Sequence, residues 1–231
     1  MSAPFFVFNN ISSLDMNCII ENELPEITPA KHVTEKAVVG RNGLLTQSFG
    51  DYDAYDYPVT FTILKYEDFE NVKKWLRGSG QLITHNDLDK YRNVRIKEDV
   101  RTYENEWDTF WTVTVVFRCD PFRCQINEPT VTLKSGENNV VNQGHENSFP
   151  LFRFKVTTGN ITLIINNETF NIISPPANKE IILDCENGLC YADGTYIRTS
   201  GDFPVLFEGE NNITLSGSTS LAEMDKRSVF L

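Results

Sequence analysis

Alternating apolar and polar residues mark one stretch of the chain as a β-strand with a single buried face. Every second residue from Trp111 to Phe117 is apolar, which is the period of two that places alternate side chains on one side of a sheet. Pro121 has no backbone N–H and cannot donate to a ladder, so we expect strand pairing to stop near Asp120. The stretch therefore predicts the last core strand of one domain and the exit towards a second.

One segment has the apolar spacing of an α-helix. Between Tyr66 and Arg77 the apolar side chains recur at i, i+3, i+6 and i+7, namely Phe69, Val72, Trp75 and Leu76. Asp68 is the candidate N-cap, and Gly78 ends the pattern. The aromatic stripe on this helix predicts core packing and not a cofactor contact.

Several strands and turns are predicted before the helix, including strands in Phe5–Phe8, 31–39, 44–46 and 59–65, with a turn at 41–43. Beyond residue 125 the composition shifts to Asn, Gly, Thr and Ile, and turn residues separate short strand candidates at 131–133, 151–156, 161–165, 170–173, 180–184, 190–191, 196–197 and 213–215. Such close spacing is typical of an antiparallel sandwich. We therefore predict two domains, 1–128 and 129–231.

Composition and charge narrow the class of protein. The chain has 231 residues, with 16 Phe and 8 Tyr beside many Thr, Val and Ile, which favours sheet. A net charge of −11 argues against tight binding to nucleic acid or to an anionic membrane, because either interaction requires a basic protein surface. The N-terminus shows no signal-peptide pattern and no stretch is long and apolar enough for a membrane span. We expect a protein made in the cytoplasm and kept there until it is built into an assembly.

The cysteines do not predict a metal site. Cys119 with Cys124 and Cys185 with Cys190 share one spacing, but that spacing is loose for zinc and the two pairs fall in different predicted domains. An Asn187-Gly188 hairpin turn would place Cys185 and Cys190 directly opposite each other. In a reducing compartment we expect them to stay thiols.

No motif identifies an enzyme. The chain lacks the nucleophile-elbow, zincin, P-loop and dinucleotide-binding patterns. The acids around Glu106 could supply the two carboxylates of a glycosidase, with Trp107 and Trp111 as sugar platforms, but these acids look exposed and the Trp residues flank a core strand. We therefore predict no catalytic, cofactor-binding or metal-binding residues.

The order of the motifs along the chain resembles the distal tail protein (Dit) family of long-tailed, siphovirus-type bacteriophages. In the first half the matching segments are 41–43, 58–63, 75–80, the strand and acidic turn that follow with Tyr91, and 115–122. In the second half they are 142–144, 149–150, 161–166, 182–184, Gly201-Asp202-Phe203-Pro204, Leu206, Gly209 and 211–213. These segments cover nearly the whole chain. Each is degenerate alone, and only their order is specific.

The resemblance implies a structural protein of the virion. It implies a mainly β fold, with an N-terminal β-sandwich-like ring domain that carries one α-helix and a belt or arm, followed by a C-terminal galectin-like antiparallel β-sandwich. Six copies would form a ring at the tail tip that joins the major tail (tube) protein to the tail-associated lysin or hub protein of the baseplate, with DNA passing through the lumen without specific binding. A receptor-binding protein is a further candidate partner.

The same resemblance assigns roles to particular residues. Subunit contacts are predicted at Phe5, Phe6, Val7, Phe8 and Arg41, where the apolar N-terminal strand is a candidate sealed edge. The junction between the two domains is predicted at Phe117, Pro121 and Phe122.

A lectin-like adhesin that binds host cell-wall glycans through the C-terminal sandwich is the alternative function. A galectin-like shape alone does not carry sugar binding. All three Trp, at positions 75, 107 and 111, lie in the first half of the chain, so the second half lacks the Trp that a sugar-stacking site would favour.

Overall fold

A computed structural model of the chain describes residues 3–97 and 101–231. The fold is mainly β with one α-helix, as the sequence predicts. It divides into two compact units, one running to Arg123 and including Leu231, the other spanning Cys124–Phe230.

The first unit is built on one antiparallel sheet. Its elements are β1 (Phe6–Phe8), β2 (Ile11–Ser12), β3 (Cys18–Ile19), β4 (Lys31–Ala37), β5 (Leu44–Tyr52), β6 (Tyr55–Ile63), a 3₁₀ turn (Tyr66–Asp68), α1 (Phe69–Trp75), β7 (Ser79–Thr84), β8 (Asp87–Ile96), β9 (Tyr103–Glu106) and β10 (Phe110–Gln125). The strand order is β2-β1-β7-β8-β10-β6-β3, with β9 also on β10. Strands β4 and β5 form a separate two-stranded sheet.

Alternation along β10 separates a core face from an outer face. Val115 and Phe117 are buried and lie opposite Val59 and Tyr57 of β6, which are also buried. On the outer face, paired threonines hydrogen-bond across the same two strands, with Thr60 and Thr114 hydroxyls 2.7 Å apart. The alternation predicted from the sequence is therefore confirmed, and it fixes the register because a one-residue slip would expose every core side chain.

The predicted helix is confirmed in a shorter form. Asp68 precedes α1 but its carboxylate accepts a hydrogen bond from Asn17 Nδ2 at 2.7 Å and does not cap the helix. Val72 and Leu76 are fully buried, and the Trp75 ring stacks on Phe6 at 5.4 Å. The stripe on α1 packs against the core face of the sheet, as expected of an amphipathic helix.

Pro121 does not end the strand that contains it, which corrects the expectation from the sequence. Pairing of β10 with β6 stops at Cys119, opposite Tyr55, yet the strand continues to Gln125. The β6 ladder is already complete before Pro121, so no carbonyl of β6 requires the N–H that proline lacks.

The second unit is an antiparallel sandwich-like arrangement, as predicted. The strands of its sheet are β11 (Val131–Thr132), β12 (Gly136–Asn142), β13 (Leu151–Ile165), β14 (Glu168–Ile172), β15 (Glu180–Asp184), β16 (Leu189–Ala192), β17 (Thr195–Tyr196), β18 (Thr199–Ser200) and β19 (Gly209–Asp225). A short strand outside this sheet, β20 (Val229–Phe230), follows near the end of the chain. β13 and β19 pair along their length, with register shifts between Lys155 and Thr162. The register shifts allow β13 to change its second partner along its length. It pairs with β15 before the shifts and with β14 after them.

The predicted placement of Cys185 directly opposite Cys190 is wrong. Cys190 lies opposite Leu183, and the last pair before the turn is Asp184 with Leu189. Residues 185–188 form a four-residue turn, which the Asp184 carboxylate stabilises by accepting from Asn187 Nδ2 at 2.9 Å. This side-chain hydrogen bond favours the longer turn over a two-residue Asn-Gly hairpin.

Phe117 is the central ring of the first core, since it contacts Phe6 and Phe8 at 5.7 Å centroid separation each. We expect Phe117→Ala to lower the free energy of unfolding by about 3–5 kcal/mol, because it removes a buried ring and leaves a cavity. Val116→Ala, on the other face of the same strand, should cost less than about 1 kcal/mol. Urea unfolding followed by circular dichroism measures both, and equal losses would contradict the assigned core face.

Candidate interaction arm

Strands β4 and β5 form a hairpin that we call the arm, residues Lys31–Tyr52. In the residues that the structure describes, neither strand pairs with any other strand. Every residue of both strands is exposed except Tyr52, which is half-buried. The arm therefore has two unpaired strand edges, and both faces of its sheet are exposed to solvent.

The exposed side chains of the arm include several large apolar ones. Phe49 is 78% exposed and Val39 is fully exposed, and the remainder are Val33, Val38, Leu44 and Leu45. An isolated two-stranded hairpin is marginally stable in water, and native proteins normally cover or blunt such edges. A segment with this exposure is typical of a surface that a partner completes.

Hydrogen bonds and ion pairs hold the chain entering the arm against the rest of the first unit. Tyr57 donates its phenolic O–H to the Pro25 carbonyl oxygen at 2.7 Å. The next residue, Glu26, receives Arg92 and Arg123 at 3.0 Å each. Burial raises the pKa of Tyr57, so its O–H remains available to donate near neutral pH.

Arg92 is the buried centre of this attachment. Its side chain is inaccessible to solvent, and it donates to the Tyr55 hydroxyl at 3.1 Å and to the Thr84 hydroxyl at 3.3 Å. The guanidinium also lies over the Tyr57 ring, 5.5 Å from its centroid. A buried cation is tolerated only when its donors are satisfied, so Arg92 ties β6, β7 and the segment containing Glu26 into one arrangement.

The chain leaving the arm is held as well. Tyr52 packs edge-to-face on Phe122 at 5.3 Å, and Lys31 Nζ lies 5.4 Å from the centroid of the same Tyr52 ring. The Asp53 backbone N–H donates to the Ala30 carbonyl at 2.9 Å. Both ends of the arm are therefore fixed, while the strands between them stand in solvent.

A histidine and an aspartate form a titratable pair at the base of the arm, where its two ends meet the first unit. His32 Nδ1 and Asp53 Oδ1 are 3.0 Å apart. The hydrogen bond to Asp53 raises the pKa of His32 above its ordinary value of 6.5, with the charges of Asp53 and Asp51 adding to the effect. The protonated imidazole therefore stabilises the start of β4.

The predicted subunit-contact residues fall in two places. Arg41 lies in the turn at the tip of the arm, between Gly40 and Gly43, and is exposed. Phe6 and Phe8 are fully buried in the core, whereas Phe5 and Val7 are half-buried. A role for the N-terminal strand in subunit contact stays a prediction, and only Phe5 and Val7 have side-chain surface left for it.

β1 is also not an open edge. It pairs with β2 on one side and with β7 on the other, so its own backbone needs no partner from another subunit. The arm differs from β1 in this respect, because β4 and β5 pair only with each other.

The predicted junction residues all lie at the end of the first unit. Phe117 is in the core, and Pro121 and Phe122 are half-buried in the last part of β10. Phe122 contacts the arm through Tyr52. Their role as a junction stays a prediction.

Trp107 is exposed in a strained turn. It is 94% exposed between β9 and β10, and both Trp107 and Asp108 have φ of 56°. Glycine and asparagine are the residues that favour such turns. The other ring of the sugar-platform interpretation, Trp111, stacks on Phe69 with 4.4 Å between the ring centroids.

Residues 3–97 and 101–231 contain no group of three or more His, Cys, Asp or Glu placed to hold a metal ion. Burial raises the pKa of Cys18 and of Cys119 to about 12, so neither thiol is an activated nucleophile. No helix in the described chain is long and apolar enough to cross a membrane.

Sequence patterns predict the strands of the arm but not its exposure. Val38-Val39 and Leu44-Leu45 read as ordinary core strand residues. Two signals of a solvent-exposed hairpin are present in the sequence. They are the turn from Gly40 to Gly43 and the mixed charge of β4, where Glu35 lies between Lys31 and Lys36.

Comparison with known proteins identifies the fold. No protein-family model matches the chain, and no curated protein matches it. Among solved structures, it is similar to SPP1 Dit (gp19.1), described as a paradigm of the hub adsorption apparatus in phages that infect Gram-positive bacteria, with a TM-score of 0.80, 12% identity and coverage of 100% of both chains. It is also similar to chains of the phage p2 baseplate in its activated conformation, with Sr or with Ca, at a TM-score of 0.53 and 7% identity, covering 96% or 97% of this chain and 97% of the other. The chain has the fold of a siphophage Dit protein over its whole length, which confirms the resemblance read from its motifs.

Arg92→Ala should destabilise the first unit by about 2–4 kcal/mol, because it leaves a cavity and deprives the buried Thr84 hydroxyl of a partner. Arg95→Ala, at an exposed position of the same strand, should stay within about 0.5 kcal/mol of wild type. Chemical unfolding of the two variants compares them directly. A loss in Arg92→Ala no larger than that in the control would show that the buried guanidinium is not the anchor.

The His32 pair predicts a pH-dependent contribution at the base of the arm. Because the folded pKa of His32 is raised, the stabilisation is fully present just below the ordinary value of 6.5, where Asp53 is still ionised, and is lost as pH rises through the raised pKa. An NMR titration should give a His32 pKa above 6.5, Asp53→Asn should lower it clearly, and Asp51→Asn should lower it less. A titration unaffected by Asp53→Asn would refute the pairing.

Proposed function

We propose that this chain is a non-enzymatic structural component of the tail tip of a long-tailed bacteriophage. Six copies form a ring that joins the major tail (tube) protein to the tail-associated lysin or hub protein of the baseplate, and DNA passes through the lumen. The observation that carries the proposal is the full-length match to SPP1 Dit at a TM-score of 0.80. The protein acts in the virion after synthesis in the host cytoplasm.

The arm supports a ring in physical terms. A seven-residue strand spans about 23 Å, and almost every residue of β4 and β5 is exposed, so the arm offers a long surface to a neighbouring copy. A contact between the arm of one copy and a different surface of the next is heterologous, and such contacts close into rings when the rotation permits. The open edges and the apolar side chains of the arm are then covered by the neighbouring copy.

Charge supports a lumen that does not hold DNA. The chain carries 32 acidic against 21 basic residues, and persistent binding to phosphates requires clustered cations. We assign the ring to residues 1–128, and we assign contact with a receptor-binding protein to the galectin-like unit, residues 129–231.

The proposal predicts that assembly depends on the arm. Light scattering coupled to size exclusion should show a mass of six 26.4 kDa chains for the wild type, alone or with the tube and hub proteins. Replacing residues 34–47 by Asn-Gly, which retains the pair Val33 with Ser48, should abolish the hexamer and leave a folded monomer. Phe49→Ser should raise the concentration for half-assembly at least tenfold, since burying a Phe contributes about 1.5–3 kcal/mol.

Leu88→Ser is the matched control, because Leu88 is also an exposed apolar residue on a strand of the first unit, outside the arm. It should assemble like the wild type. A wild-type chain that stays monomeric even with its tube and hub partners would refute the ring, and a hexamer formed without the arm would refute the role of the arm.

A further inference from the structure

The second unit contains a cavity walled by phenylalanine rings, which we call the phenylalanine pocket. Its volume is about 290 Å³, and its apolar walls are Phe149, Ile165, Phe170, Phe203 and Phe207. Ile165 and Phe170 belong to the core of the unit, whereas the rings of Phe149 and Phe207 are 45% and 50% exposed at its rim. The pocket is therefore an opening from the surface onto the core.

Backbone hydrogen bonds hold the two rim segments together. Ser148 and Leu206 exchange hydrogen bonds in both directions, each 2.9 Å long. Each of these residues precedes an exposed phenylalanine, so the bridge sets the positions of Phe149 and Phe207 relative to each other.

A buried asparagine holds the loop after Phe207. Asn211 is almost inaccessible to solvent; its Nδ2 donates to the carbonyls of Phe207 and Gly209 at 2.9 and 3.0 Å, and its Oδ1 accepts from the Phe207 N–H at 2.9 Å. The loop is thus held by a side chain that cannot exchange these partners for water. Preorganisation of this kind lowers the entropy lost on binding.

Gly201 allows the segment that carries Phe203 to pack closely against the strand that carries Phe170, which forms another wall of the pocket. It has a φ of +97°, and a Cβ at this position would overlap the Thr169 carbonyl oxygen. The close approach that glycine permits brings Phe203 against Phe170, at 5.1 Å between ring centroids. The Gly201-Asp202-Phe203-Pro204 motif and the later Asn211 are therefore the residues that build the pocket.

The surroundings of the pocket are acidic. Glu168 and Asp202 line it, and no Lys or Arg does. The adjoining segments 145–150, 165–170 and 201–210 add Glu146, Glu208 and Glu210 and contain no Lys or Arg. Such a rim favours a positively charged ligand and disfavours a phosphate-bearing one.

We infer that the phenylalanine pocket is a docking site for a segment of a partner protein that inserts one apolar or aromatic side chain, next to a Lys or Arg that meets the acidic rim. The volume lies at the lower end of ligand cavities, which run from roughly 300 Å³ upward, and suits a single large side chain. Asn166 also lines the pocket, but its side-chain amide already donates to Asn211 at 2.6 Å, so the charges of Glu168 and Asp202 set the polar preference of the site. Exposed aromatic rings around a preformed cavity are typical of binding hot spots.

The test uses the full-length protein and fluorescein-labelled peptides that differ only at the residues flanking a central Trp. Fluorescence polarisation should show saturable binding of the Lys-flanked peptide, weaker binding of the Gln-flanked one and the weakest of the Glu-flanked one. Added salt should reduce the preference, since rim charges are screened.

Variants assign the binding to the pocket. Phe207→Ser and Phe149→Ser should each weaken the Lys-flanked peptide at least tenfold, and Asp202→Asn should weaken it severalfold. Val141→Ser alters an exposed apolar residue of the same unit outside the pocket and should bind like the wild type. Thermal unfolding of each variant confirms that the fold is retained, and the two rim variants provide independent readings.

Three results would overturn the inference: no saturable binding up to millimolar peptide, equal binding of Lys- and Glu-flanked peptides, or binding unaffected by both rim substitutions. Displacement of the peptide by neutral mono- or disaccharides would instead identify a sugar site. The inference concerns the second unit alone and does not depend on the ring. A protein that fails to form hexamers can still bind the peptide, so the two failures are distinguishable.

Discussion

A guanidinium withdrawn from water must have its donors satisfied, and Arg92 meets this requirement by joining segments that are distant in sequence. Its partners Tyr55, Thr84 and Glu26 come from β6, β7 and the segment before the arm. Removing any one of them leaves a buried donor or acceptor unpaired, at a cost of about 1–3 kcal/mol. The segment before the arm is therefore held in place, even though the arm itself is exposed to solvent.

Local patterns in the sequence predict the elements whose stability comes from local periodicity. The alternation along β10 and the spacing in α1 both depend on one buried face, and both are found in the structure. The continuation of β10 through Pro121 was missed because the tolerance of a proline depends on where the neighbouring ladder ends. The register of Cys185 and Cys190 was missed because Asp184 stabilises a longer turn.

The resemblance implied an arm, but the exposure of the apolar residues at both candidate surfaces escaped sequence analysis for a related reason. Val39 and Phe49 in the arm and Phe149 and Phe207 at the pocket are apolar residues in strand-like or turn-like contexts, which normally predict burial. Whether such a residue is covered depends on what the rest of the chain places above it. Only the three-dimensional arrangement shows that the arm is left uncovered and that Asn211 keeps a cavity open.

The open edges of the arm also affect the free subunit before it finds its neighbours. Unpaired strands with exposed apolar side chains can pair with any other such strand, so a concentrated pool of free chains is prone to irregular aggregation. The net charge of −11 opposes this through mutual repulsion between subunits. Because that repulsion weakens as salt rises, the colloidal stability of the unassembled protein depends on ionic strength.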